Sequence, residues 1–124
     1  MDLAEGVGKD RAGIRFLAQC GADGVLSTRA QLIRFAKEQH LLTVQRFFTL
    51  DSKGMDSIDD MLRTTEPHMM ELMPGIIGKT VQRFSRGHIP VIAGGLVQTR
   101  QEVMDALNSG ATAVSTGQKE LWYL

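Results

Sequence analysis

A parallel α/β fold of the TIM-type (β/α) barrel class, in partial form, is what this sequence predicts, and three observations predict it. Short β-rich runs alternate with runs of helical period along the whole chain, the connections between them are short, and two strand-like runs near the carboxyl end finish in small residues. Alternation with short connections calls for parallel strands joined by crossovers. The count is about six βα units, where a closed barrel of this class has eight. Residues 1–124 are therefore expected to form a single (β/α) barrel-like domain. Two architectures fit that count, the C-terminal portion of a longer barrel or a small open sheet. The start inside a strand pattern and the paired loops near the end favour the former.

The first unit begins at Met1-Asp2-Leu3-Ala4-Glu5-Gly6, read as the tail of a strand, and continues into a helix carrying Ile14, Leu17 and Ala18. Residues 24–27 are the next strand, after which Thr28 and Gln31 read as a capping box for a helix with Leu32, Ile33 and Ala36 inside. Residues 42–49 form a third strand, and Asp51-Ser52-Lys53-Gly54 leads into a helix whose inner face is Met55, Ile58, Met61 and Leu62. Residues 68–73 are the fourth strand, closed by Pro74-Gly75. Ile76, Ile77, Thr80, Val81 and Phe84 then recur at helical spacing. The last two strands are residues 89–96 and 111–117. The helix between them has Thr99 and Glu102 as a capping box, Val103, Ala106 and Leu107 as its stripe, and Gly110 just past its end. Residues 118–124 read as a short extra helix with Trp122 as an apolar plug.

Lys plus Arg and Asp plus Glu number 14 each, so no global field points to nucleic acid, membrane or an acidic partner. Any such partner is engaged locally. The lone Cys20 excludes an internal disulfide and is expected to be a buried thiol near a helix end. No apolar run approaches the roughly 18 residues of a membrane span, and the first residues lack the apolar core of a signal peptide. A cytoplasmic protein without a membrane partner is expected. An incomplete barrel leaves two strand edges unpaired, so a homo-oligomer is expected as well.

In barrels the ligand sits at the C-terminal strand ends, which here gather Asp2, Glu5, Gly6, Ser27, Thr28, Arg46, Asp51, Glu71, Pro74 and Gly75 with the small residues Gly94, Gly95, Ser115, Thr116 and Gly117. The last five are the candidate phosphate site, because residues without bulk let backbone N–H groups approach an anion, and the final two loops of a barrel make such a site together. The short terminal helix would aim its dipole at the same point. Glu5 and Glu71 either bind hydroxyls of a polyol or serve structure, Glu5 as a cap and Glu71 as the partner of Arg46. Arg46 is likewise a ligand contact or half of that pair. His40, His68 and His88 have no metal-ligand spacing with one another or with Cys20, so no metal site is expected. They read as surface or loop residues. Nucleophile elbow, P-loop and dinucleotide fingerprint are all absent from the sequence. Lys79, Arg83, Arg86 and His88 give one helix a basic side, and Arg29, Arg34 and Lys37 another; each is a solvated face or a local patch for RNA phosphates.

Asp2-Leu3-Ala4-Glu5-Gly6 with Lys9-Asp10, Gly24-Val25-Leu26-Ser27-Thr28, Gln45-Arg46-Phe47-Phe48 with Leu50-Asp51-Ser52, and Glu71-Leu72-Met73-Pro74-Gly75 together resemble one family. The strongest likeness runs from Ile89-Pro90-Val91-Ile92-Ala93-Gly94-Gly95-Leu96 through Ala106-Leu107, Gly110-Ala111, Ala113-Val114-Ser115-Thr116 and Leu121-Trp122. The chain resembles the glycerol uptake operon antiterminator regulatory proteins of bacteria. That resemblance implies a non-enzymatic, barrel-like domain that senses glycerol 3-phosphate, needs no cofactor, and acts on leader mRNA of glycerol-utilisation operons so that polymerase reads past a terminator. It implies family members longer than this chain at the amino end. It also implies Gly94, Gly95, Ser115, Thr116 and Gly117 as phosphate contacts, with Glu5, Arg46 and Glu71 for the glycerol hydroxyls and the switch. Arg29 stands where the family commonly has lysine, and Gly117 where it often has a small hydroxyl residue. The competing class is a phosphosugar isomerase, epimerase or synthase with Glu71 or Asp51 as base, against which stands the lack of a strand-end lysine for Schiff-base chemistry. A metabolite-binding module without RNA contact is the third.

Overall fold

Five runs rich in Val, Leu, Ile, Met and Phe become parallel strands: β1 (Gly24–Ser27), β2 (Leu42–Phe48), β3 (Met69–Met73), β4 (Val91–Gly94) and β5 (Ala113–Ser115). The computed structural model describes residues 19–21, 23–48 and 52–123. Between the strands lie α1 (Ala30–Glu38), α2 (Ser52–Thr65), α3 (Gly78–Ser85) and α4 (Arg100–Asn108), and a 3₁₀ segment (Lys119–Tyr123) follows β5. The expected α/β barrel-type alternation is thus what the chain forms, with the first expected unit, residues 1–18, lying outside the described residues. Strands neighbour each other in chain order, β1-β2-β3-β4-β5, so each crossover moves the chain one position in the same direction across the sheet. Because every pairing is parallel, each strand's carboxyl end, and the loop that follows it, lies on one rim.

The two faces of the sheet are chemically different. Register pairs Phe47 with Leu72, Met70 with Val91 and Leu72 with Ala93, and these side chains pack with Ile58, Val81, Phe84 and Ala106 of the helices into one buried cluster. Val25 joins Leu32, Phe35, Ala36 and Leu41 in a second. Polar residues on this helix-covered face are paired internally. Gln45, with no exposure at all, donates from Nε2 to Met61 Sδ at 3.0 Å and accepts from Thr65 Oγ1 at 2.7 Å. Thr43 N–H donates to His68 Nδ1 at 3.0 Å while His68 N–H donates to Thr43 Oγ1 at 3.1 Å, clamping the start of the β2/β3 ladder. The opposite face, the interior side of a closed barrel, carries Leu26, Val44, Arg46, Glu71 and Ile92, and leaves Leu42 49% and Phe48 55% exposed.

Helix ends follow local chemistry, with instructive departures. α4 has the expected capping box: Thr99 Oγ1 accepts from Glu102 N–H, and Glu102 Oε1 accepts from Thr99 N–H, both at 3.1 Å. It ends in a Schellman motif, with Ala111 N–H on Ala106 O, Gly110 N–H on Leu107 O and Gly110 at φ 112°. Thr99→Ala is expected to cost about 1 kcal/mol, read as a lowered urea midpoint with unchanged slope. α1 ends in the same motif with His40 at φ 62° in the position glycine favours. Its start differs from the expected Thr28–Gln31 box. The N-cap is Arg29 without a side-chain cap, and Ser27 Oγ, at the end of β1, takes the Arg29 N–H at 3.0 Å. Leu107 is 41% exposed, and Ile76 and Ile77, expected on the α3 face, precede that helix and are 44% and 40% exposed. Cys20 is exposed rather than buried, because it lies in a turn that continues into Gly21 at φ 85°. Of residues 118–124, expected as a terminal helix, Lys119–Tyr123 form a 3₁₀ segment with Glu120 in its first turn, too short for the α-helical dipole expected there, and residue 124 lies outside the described residues. No helix among the described residues is long and apolar enough to cross a membrane.

Candidate functional site at the carboxyl rim

Gly94 and Ser115 are register partners on adjacent parallel strands, so the loops that follow β4 and β5 leave the sheet side by side. Directly beyond Gly94 the chain takes two positive φ angles in succession, 75° at Gly95 and 59° at Leu96. Leu96 is a bulky residue held in a region that L side chains disfavour, and its side chain is 62% exposed instead of seeking the core. Ser115 and Gly117 are exposed and Thr116 half-buried. The Thr116 hydroxyl is committed to the fold. It donates to Val97 O at 2.6 Å and accepts the Gln118 N–H at 3.1 Å, tying the loop after β5 to the loop after β4.

The five candidates divide by role. Gly94 is buried, and a Cβ there would run into Glu71 Oε1 with Glu71 Cδ at 3.0 Å, so its smallness makes room for a carboxylate of this protein. Gly95 is half-buried, and a Cβ would lie 2.8 Å from Met73 Cε. A Cβ at Gly117 would meet nothing within 4 Å, and Leu96, Ser115 and Gly117 are exposed with Gly95 and Thr116 half-buried. Gly75, noted in the sequence only as a strand-end residue, is central to the arrangement. After the cis Met73–Pro74 peptide its N–H donates to Gly94 O and, at 3.3 Å, to Gly95 O, locking the loop after β3 onto the loop after β4. A proline-glycine pair after a strand signals a turn, but nothing local announces that the turn docks on residues twenty positions later.

Arg46 and Glu71 face each other in register on β2 and β3, with Nη2 to Oε1 at 3.4 Å. The ion pair, one of the two readings open for these residues, is formed. Its members are unequal: the Glu71 side chain is 4% exposed and Arg46 24%. Among the described residues Arg46 Nε is a buried side-chain donor without a hydrogen-bond partner. Glu5 and Asp51 lie outside the described residues. Two members of the basic helix faces are engaged: Arg83 Nη2 bonds Asp56 at 3.0 Å and Asp59 at 2.6 Å, and Lys37 Nζ donates to Glu66 O at 2.7 Å. The hydrogen bonds it donates to both aspartates hold the pKa of the Arg83 guanidinium above its ordinary value. A cavity of about 410 Å³ beside Gly75 and Gly78 is lined by Glu102 and Asp105, whose charge disfavours an anion. Another, of about 400 Å³, lies at the far end between α2 and α3 around Leu62, Met70, Phe84 and Ile89, away from this rim.

Parallel strands in chain order, each trailed by a helix and with their loops gathered at one rim, define the (β/α)-barrel class of domain. Within that class the chain belongs to the glycerol-3-phosphate responsive antiterminator family, whose model matches residues 1–122. It is similar to the glycerol uptake operon antiterminator regulatory protein of Listeria monocytogenes, 40% identical with a TM-score of 0.91 over 98% of this chain and 67% of that one. The Escherichia coli K12 protein YgcP is 31% identical over all of this chain and 66% of its own length. This chain therefore spans about two thirds of the length of these relatives. An aldolase of known structure, 11% identical, aligns with a TM-score of 0.71 over 90% of this chain and 63% of its own, a likeness of fold alone.

Proposed function

We propose that this chain is the sensing part of a cytoplasmic, non-enzymatic antiterminator that binds glycerol 3-phosphate and, so liganded, engages leader mRNA. One observation carries the reading: Gly94 and Ser115 are paired, so the left-handed Gly95-Leu96 turn and the Ser115-Thr116-Gly117 turn stand next to each other. Backbone N–H groups of Gly95, Leu96, Thr116 and Gly117 would receive the phosphate, while Gly94 acts by leaving space for Glu71. The glycerol hydroxyls would meet the Arg46–Glu71 pair, whose free Nε donor suits a hydroxyl oxygen. Glu5 completes the polyol contacts in this reading. The tie from Thr116 to Val97 and the lock from Gly75 to Gly94 make the loops after β3, β4 and β5 one linked body. Ligand closing on that body shifts it between two states only by its differential affinity for them, which is the switch offered to RNA. The enzymatic alternative finds little support in Glu71, which is buried and engaged by Arg46. Self-association would use the edges of the described sheet, β1 and β5.

Thermal and chemical denaturation with and without glycerol 3-phosphate tests the site. Ligand at about a hundredfold over its Kd is expected to add about 2.7 kcal/mol of stability, with glycerol alone giving far less, and Gly95→Val is expected to erase the effect. An unchanged transition at millimolar ligand rejects the site. A mobility assay with glycerol-operon leader RNA, in both ligand conditions, tests the linkage, which equal RNA affinity in the two conditions rejects.

A further inference from the structure

We infer that single-stranded RNA is held along the carboxyl rim of the sheet by a row of unpaired cations interleaved with exposed apolar side chains, an inference that rests on the RNA-binding reading above. In strand order the rim presents Arg29 at the N-cap of α1, Phe48 at the end of β2, Ile76, Ile77 and Lys79 at the entrance to α3, Leu96 and Arg100 at the entrance to α4, and Lys119 after β5. Arg29, Lys79, Arg100 and Lys119 are exposed. Among the described residues none of them makes a salt bridge.

Helix amino ends carry partial positive charge and are stabilised by acids. Here α1, α2 and α3 have no acid in the first turn, and the Glu102 carboxylate of α4 is taken up by the N–H groups of Gln98 and Thr99. Cations placed at these ends add to the positive potential instead of relieving it. An external polyanion relieves it. The other described acids near the rim are Glu71, paired with Arg46, Glu120, and Asp105, which accepts from Gln101 Nε2 and lines the cavity beside Ile76 and Gly78. Elsewhere Arg83 and Arg63 face aspartates and Lys37 bonds a carbonyl, while Arg34 and Arg86 lie on separate helix faces without a salt bridge among the described residues.

Charge alone would suit any anion, and the apolar groups narrow the choice. Phe48 is 55% exposed, Ile76 44%, Ile77 40% and Leu96 62%, all on the rim and between the cations. Unpaired bases stack on an aromatic face and pack on aliphatic side chains while their phosphates meet Arg and Lys. A duplex hides its bases and cannot use such a surface. The rim also surrounds the proposed phosphate cradle, so a loop closing on ligand alters what the RNA meets.

Fluorescence anisotropy with a labelled single-stranded RNA of mixed sequence, over a salt series, tests this on the full chain. The combined variant Arg29→Gln, Lys79→Gln, Arg100→Gln, Lys119→Gln is expected to weaken binding about 100-fold at low salt and to flatten the log–log salt slope by about 3. The comparison variant Arg34→Gln, Arg63→Gln, Arg86→Gln, which removes cations outside the rim, is expected to stay within about threefold. Phe48→Ser should lose about tenfold and Phe48→Tyr retain affinity, because stacking survives in tyrosine. Wild-type binding with an unaffected rim variant overturns this surface and leaves the RNA reading standing. No binding to single-stranded or leader RNA, with or without glycerol 3-phosphate, overturns both. A polyglutamate peptide bound through the rim more tightly than RNA overturns the inference in favour of an acidic protein partner.

Discussion

Gly75→Ala is expected to lower stability by about 3 kcal/mol, seen as a reduced urea midpoint, and to weaken glycerol 3-phosphate binding at least about tenfold. The added carbon would lie 2.6 Å from Gly94 N, 2.7 Å from Ala93 C and 2.9 Å from Ala93 Cβ. Two of those atoms are backbone of β4, which is paired to β3 on one side and β5 on the other, so it cannot retreat. The loop itself must lift, breaking the Gly75 N–H bonds to Gly94 O and Gly95 O. Gly117→Ala is the matched control. A Cβ there meets nothing within 4 Å, and its cost should fall within about 0.5 kcal/mol. Equal midpoints for the two variants would remove the interlock from the account.

Arg46→Met carries the second large effect, a loss of about 3 kcal/mol, because it strands the 4%-exposed Glu71 carboxylate without its guanidinium. The reverse change should be milder. In Glu71→Gln the remaining Arg46 is 24% exposed and reaches water, so about 1 kcal/mol is expected. The double variant Arg46→Met, Glu71→Leu should regain most of the stability lost by the single one, since matched apolar groups replace a pair whose desolvation offsets its attraction. Its affinity for glycerol 3-phosphate should nonetheless stay low if the pair holds the hydroxyls. A double variant no more stable than Arg46→Met shows that the pair is not the source of the cost.

What the sequence made legible was whatever is decided within a few residues. Thr99, Glu102 and Gly110 marked the ends of α4 because capping and the left-handed exit are local hydrogen-bond chemistry. The alternation of apolar runs placed all five described strands, although it overran β4 and β5, whose flanking apolar residues continue into loops. Ile76 and Ile77 fitted a helical period yet stand on the rim, since periodicity cannot say where a helix begins. Thr28 looked like a cap until Ser27, a residue of the preceding strand, took the Arg29 N–H. Long-range packing decided the rest. Gly94 stood out for its smallness, but that the space beside it is taken by Glu71, twenty-three positions away, is decided by packing. The Arg46–Glu71 pairing was one of two readings, and only strand register selected it.

The bond from Gly75 to Gly94 has a practical meaning for redesign. A new specificity cannot be installed by grafting the turn after β4 alone, since its backbone shape is moulded against the Met73-Pro74-Gly75 corner beneath it. Both pieces would have to be transplanted together, and any library that varies one while freezing its mate will consist mostly of chains that fail before they meet a ligand.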